Sequence, residues 1–129
     1  MLPTTTITTA VTNQVGGTLN LINKKYLAIQ ATFTYGSGGT NAKAWVQTSL
    51  DNGTTWIDIA EFTFTTSTAR RVYSLAATAV TSILTPTDGT LTANTSVTGV
   101  LGDQYRVKYT TTGTYGGSTT LRVDAVAAN

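Results

Sequence analysis

The stretch Ala42 to Phe64 constrains the fold more than any other, because it reads as a β-hairpin from its own residues. Ala44, Val46, Thr48 and Leu50 alternate with Lys43, Trp45, Gln47 and Ser49, the period-2 signature of a strand whose two faces meet different surroundings. Asp51-Asn52-Gly53 then supplies turn chemistry: Asx side chains bond nearby backbone amides, and glycine enters positive φ with no Cβ penalty. The chain resumes as Thr55-Trp56-Ile57-Asp58-Ile59-Ala60-Glu61-Phe62, again aromatic and β-branched. Two such runs about a short Asx/Gly turn predict an antiparallel hairpin.

The turn itself, Ser49-x-Asp51-x-Gly53-x-Thr55-Trp56, resembles the Asp-box, the S-x-D-x-G-x-T-W turn found on hairpins of sialidase-type propellers and of many secreted or viral β domains. That resemblance implies that Ser49 and Asp51 brace the turn and that Trp56 packs beneath it as a core residue. It implies a fold element and no chemistry, since the box lies away from the sialidase catalytic centre. A propeller would need one box per blade, and this chain has one.

The rest of the chain supports an all-β reading. Threonine supplies roughly a quarter of the residues, a bias toward strands over helices. At 129 residues the chain suits one domain with a single core. Residues 1–17 are Thr-rich with scattered Ile7, Val11 and Val15, and read as an N-terminal arm or an edge strand. The clearest strand is Tyr26 to Tyr35, with Leu27, Ile29, Ala31, Phe33 and Tyr35 on one face. Gly36-Ser37-Gly38-Gly39 reads as a flexible loop. Arg70–Leu75 and Ala79–Leu84 give two weaker strands, with a short helix over Leu75–Val80 as the alternative. After Thr85-Pro86-Thr87-Asp88-Gly89, a long polar loop runs to Gly102 and holds one short strand, Ser96–Leu101; loops of this length tend to be functional or to pack on a partner. Tyr105–Tyr109 and Leu121–Ala125 alternate about a Gly-rich connection and read as a second hairpin. About eight strands separated by turn signals predict an antiparallel β-sandwich, jelly-roll-like, over residues 18–129.

Several function classes are poorly served by these residues. Histidine and cysteine are both absent, which removes Ser-His-Asp and Cys-His catalysis and ordinary zinc sites. The eight Lys/Arg include only two adjacent pairs, Lys24-Lys25 and Arg70-Arg71, short of a nucleic-acid footprint. Alternation places one arginine of the second pair on each face. The N-terminus lacks the pattern of a signal peptide, and no run is long and apolar enough for a membrane span. No cofactor is expected.

Among the six carboxylates, Asp58 and Glu61 are the nearest to a glycosidase pair. Three residues apart on a regular strand, they are expected on opposite faces. Asp51-x-Gly53 superficially resembles the start of a calcium loop, but Phe62 stands where the bidentate Glu belongs; a plain Asx-turn competes with a partial site built from carbonyls. Trp45 shares its strand face with Lys43, Gln47 and Ser49, which leaves three readings: core packing, a subunit-interface anchor, or a ring exposed to stack on sugar. The loop carrying Tyr115 is a second candidate glycan contact.

The succession WVQTSLDNGTTWIDIAEFTF, TARRVYSL, TPTDGTL and VLGDQYRVKYTTTGTYGGSTTLRVDAV, roughly Ala42 to Val126, resembles small structural proteins encoded among the head and tail genes of tailed bacteriophages. The resemblance implies a non-enzymatic virion component made in the host cytoplasm, most simply a decoration or cement protein bound to the major capsid protein, otherwise a neck or tail part. It implies a homo-oligomer, by analogy a trimer, with no nucleic acid or membrane partner. Low charge density suits such contacts, because interface cores are depleted in Lys, Asp and Glu. Two rival classes are a virion-borne glycan-binding module and a carboxylate-based glycan hydrolase.

Overall fold

Alternation dictates which side chains can share a core, and the computed structural model, which describes residues 1–129, builds eleven strands and no helix from it. They are β1 (Leu2–Thr6), β2 (Val11–Val15), β3 (Leu19–Asn20), β4 (Tyr26–Thr34), β5 (Ser37–Gly38), β6 (Asn41–Ser49), β7 (Ile57–Phe64), β8 (Ala69–Ala76), β9 (Gln104–Thr112), β10 (Tyr115–Gly116) and β11 (Thr120–Ala128). Sheet I has the order β1-β11-β4-β8 and sheet II the order β2-β9-β6-β7, with β3 also on β9. Every pairing is antiparallel. Leaving aside the three two-residue strands, each sheet has four strands, and consecutive strands alternate between sheets except at the β6–β7 hairpin. That is the strand order of a jelly roll.

The inward positions meet in one core. Leu27, Ile29, Ala31, Phe33, Leu75, Leu121 and Val123 of sheet I face Ala42, Ala44, Val46, Ala60, Phe62, Phe64, Tyr105 and Val107 of sheet II, all buried. Phe33 is the aromatic centre: it stacks on Phe64 (centroids 5.1 Å apart, 9° between planes) and meets the edge of Tyr115 at 5.8 Å, geometries favoured by ring quadrupoles.

The Thr-rich N-terminus forms two strands. Leu2 and Ile7 enter the core while β1 and β2 edge the two sheets on β11 and β9. Several expectations need correction. Tyr105–Tyr109 and Leu121–Ala125 do not form a hairpin, because β9 inserts between β2 and β6 while β11 inserts between β1 and β4. Both alternations were real, but their apolar faces meet across the core and not side by side. Gly36-Ser37-Gly38-Gly39 is not a free loop, since β5 pairs β10 through Ser37↔Gly116 and Gly38↔Tyr115. Neither a strand nor a helix forms over 79–84, and Ser96–Leu101 contributes only the bridge Ser96↔Ala60. Residues 77–103 instead make an irregular strap, held by scattered backbone bonds such as Asp58 N–H to Thr87 O and Val97 N–H to Ile59 O and by side-chain chemistry.

Candidate functional site

The Asp-box-like turn closes on itself. Ser49 Oγ accepts from the Gly53 amide (2.8 Å) and donates to Asp51 Oδ1 (2.9 Å). The other bonds to the Asp51 carboxylate come from Thr55, whose amide donates to Oδ1 (2.8 Å) and whose hydroxyl donates to Oδ2 (2.6 Å). These two Thr55 bonds chiefly hold the Asp51 carboxyl down to about 2. Asn52 and Gly53 both take positive φ, 57° and 87°, a region that favours glycine at position 53; a Cβ there would also push aside the Gln104 carboxamide, whose Oε1 lies 2.6 Å away. Trp56 lies beneath Gly53 but outside the core expected for it. It is half-buried under the Arg106 guanidinium, 4.2 Å above the ring, a cation–π contact. The turn extends through Trp56 before β7 begins, which leaves the ring at the end of the sheet.

Asp58 and Glu61 do not face opposite sides. β6 and β7 lose register between Val46 and Gln47, so that Val46 pairs Ala60 while Gln47 pairs Asp58. The extra residue, Ile59, is a β-bulge that resets the alternation. Both carboxylates therefore lie on the outer face of sheet II, 1% and 0% exposed, beneath the strap. Asp58 accepts from the amides of Gly89 (2.8 Å), Thr90 (3.1 Å) and Leu91 (3.1 Å), from the Thr87 hydroxyl (2.8 Å) and from Gln47 Nε2 (2.8 Å). Three successive amides converging on one anion make a nest. Glu61 accepts from the Asn94 amide (2.8 Å) and the Thr63 hydroxyl (2.6 Å). Burial raises the Glu61 carboxyl above the usual range despite those bonds and the nearby Lys43 and Arg71 charges.

A second tier joins strap to sheet. Gln47 Nε2 also donates to Asp88 (2.6 Å), Lys108 Nζ lies 2.6 Å from the same Asp88 oxygen, and Arg106 Nε donates to Gln47 Oε1 (2.7 Å). Partial burial works to raise the Asp88 carboxyl; the Lys108 and Gln47 bonds, with the Lys108 and Arg106 charges, outweigh it and hold it low. Arg71 extends from β8 over the Phe64 ring and donates to Thr63 O and Asn94 Oδ1. In this arrangement Asp58 and Glu61 anchor strap backbone, while Asp88 is tied to side chains of sheet II.

Trp45 is covered by the same strap. It is 6% exposed and its Nε1 donates to Leu91 O at 3.2 Å, so the exposed ring considered above is not what the fold presents. The reading nearest the outcome is packing, but on the outer face and under the chain's own strap. Tyr115 is also inside, 2% exposed, with its hydroxyl donating to Thr65 O at 2.8 Å. Neither ring is a free contact. No group of three or more acidic, His or Cys side chains comes together as a metal site.

The exposed apolar surface lies elsewhere, and no single-residue motif pointed to it. The strap covers part of the outer face of sheet II, whereas the outer face of sheet I has no cover. There Val126 pairs Ala28, and Gln30 pairs both Asp124 and Val72, forming a shallow depression. Tyr26 is 56%, Val72 61% and Val126 73% exposed. The outward-facing positions of β4, β8 and β11 carry this signal in sequence, but only once the pairing is known. On the strap, Ile83 is almost fully exposed. Comparison of the chain with protein-family models, with curated proteins and with solved structures returns no match.

Proposed function

We propose that this chain is a non-enzymatic structural protein of a virion, a decoration subunit that stabilises a phage head by binding its shell. The observation that carries the reading is the uncovered face of sheet I, where Tyr26, Val72 and Val126 stand open to solvent on paired strands. Apolar residues gathered on a rigid sheet are what a subunit contact uses, and a partner removes them from water. The jelly-roll strand order is one that viral coat and lectin domains share, and fold alone does not assign the task. The succession of motifs from Ala42 to Val126 supplies the virion context, and a trimer rests on the same analogy.

The test is to purify particles from the source on a gradient and to quantify this chain against the major shell protein by mass spectrometry. A copy number near that of the shell subunit is expected. A few copies per particle would move the protein to the neck or tail, and absence would overturn the reading. Val72→Glu should abolish incorporation while changing the stability of the isolated domain by no more than about 0.5 kcal/mol, as for an exposed site.

A further inference from the structure

A polar groove of about 460 Å³ runs on the outer face of sheet II between the edge strand β2 and the strap. Asn13, Asn41, Lys43, Thr90 and Thr112 line it, and Trp45 contributes to its floor. The volume falls within the range of small-molecule sites. The pocket is a product of the topology. β2 loses register on β9 between Val11 and Gln14, and Asn13 sits within that bulge at φ 51° with its amide bonded to Thr110 Oγ1. The other wall is fixed where the Asp58 nest grips Gly89, Thr90 and Leu91. Both walls are thus held before any ligand arrives.

The chemistry of the lining is specific. No carboxylate lines the groove, and Lys43 is its one cation. The side-chain bonds of this face run chiefly through Asp58, Glu61, Gln47 and Asp88; the Asn41 carboxamide, the Lys43 ammonium and the Thr90 and Thr112 hydroxyls make none of them, though the Lys43 charge lies near Glu61. Carboxamides offer a donor pair and an acceptor together, and hydroxyls rotate to do either. A single ammonium is too little for a polyphosphate or a nucleic-acid backbone, while the methyls of the lining threonines suit the C–H faces of a ring. From this the geometry points to a binding site for a short oligosaccharide, neutral or singly acidic, in the groove between β2 and the strap. It lies on the face opposite the proposed docking surface and does not depend on the virion reading.

The test uses the whole chain carrying Trp56→Phe, which leaves Trp45 as the sole indole reporter. A glycan array is screened with labelled protein, and maltotriose, triacetylchitotriose and 3′-sialyllactose are titrated against Trp45 emission. At least one probe should shift the emission saturably with Kd of about 1 mM, and Asn41→Ala should weaken it roughly tenfold. Lys43→Ala weakening sialyllactose alone would identify an acidic ligand, and equal weakening of all probes a neutral one. A blank array with no saturable response overturns the site. So does binding that is unchanged in Asn41→Ala and Lys43→Ala proteins with parental melting curves. Val72→Glu, on the far face, should bind as the parent does, which keeps failure here separate from failure of the docking proposal.

Discussion

Asp51 and Glu61 sit within one hairpin and answer pH in opposite senses. The Asp51 carboxyl lies at about 2, below its ordinary 3.8, so its contribution is complete above the unfolded value and is lost as pH falls through about 2. Glu61 is raised above 4.5 by burial, so its ionised form is disfavoured in the fold, and its contribution is greatest in acid and lost as pH rises through the folded value. Thermal melts across pH should separate them. Asp51→Asn should melt below the parent at pH 7, with the gap closing toward pH 2. Glu61→Gln keeps an acceptor for the Asn94 amide, and its melting point relative to the parent should rise as pH increases above 4.5. The bracing of the turn by Ser49, Asp51, Gly53 and Thr55 was legible in the sequence because its bonds span no more than four residues. The orientation of Asp58 and Glu61 was not, because it depends on a bulge set by the partner strand.

The strap shows an element made without periodicity. Residues 77–103 contain no long strand, yet Asp58 and Glu61 give the amides of Gly89, Thr90, Leu91 and Asn94 the acceptors that a ladder would otherwise supply. Strands were expected over 79–84 and 96–101 because short β-branched runs look alike wherever they occur. Between them, Thr87 to Asn94 is held by carboxylates about thirty residues upstream, a pairing that no local window contains. Asp58→Ala would leave three amides without their anion. It should cost about 3 kcal/mol and should speed hydrogen exchange at Gly89, Thr90 and Leu91 while the amides of β4 and β11 keep their protection. Equal acceleration at all of these positions would mean that the strap has no separate anchor.

Across the whole molecule, class was easier to read than connection. Alternation marked most of the long strands and made an all-β sandwich the natural outcome. It could not distinguish β9 pairing β11 from β9 facing it, since either arrangement buries Tyr105, Val107, Leu121 and Val123. Deleting Thr120–Ala128 should leave β1 without its neighbour and β4 open along one edge. The truncated chain should show no cooperative melt, and a sharp transition in it would contradict the role given to β11. This interleaving also bears on timing. The face on which Tyr26, Val72 and Val126 stand is assembled from β4, β8 and β11, so a nascent chain still lacking Thr120–Ala128 has no such face to offer. Under the docking proposed for sheet I, recognition by a partner is withheld until synthesis has passed β11, and half-made copies are kept out of an assembly by geometry alone.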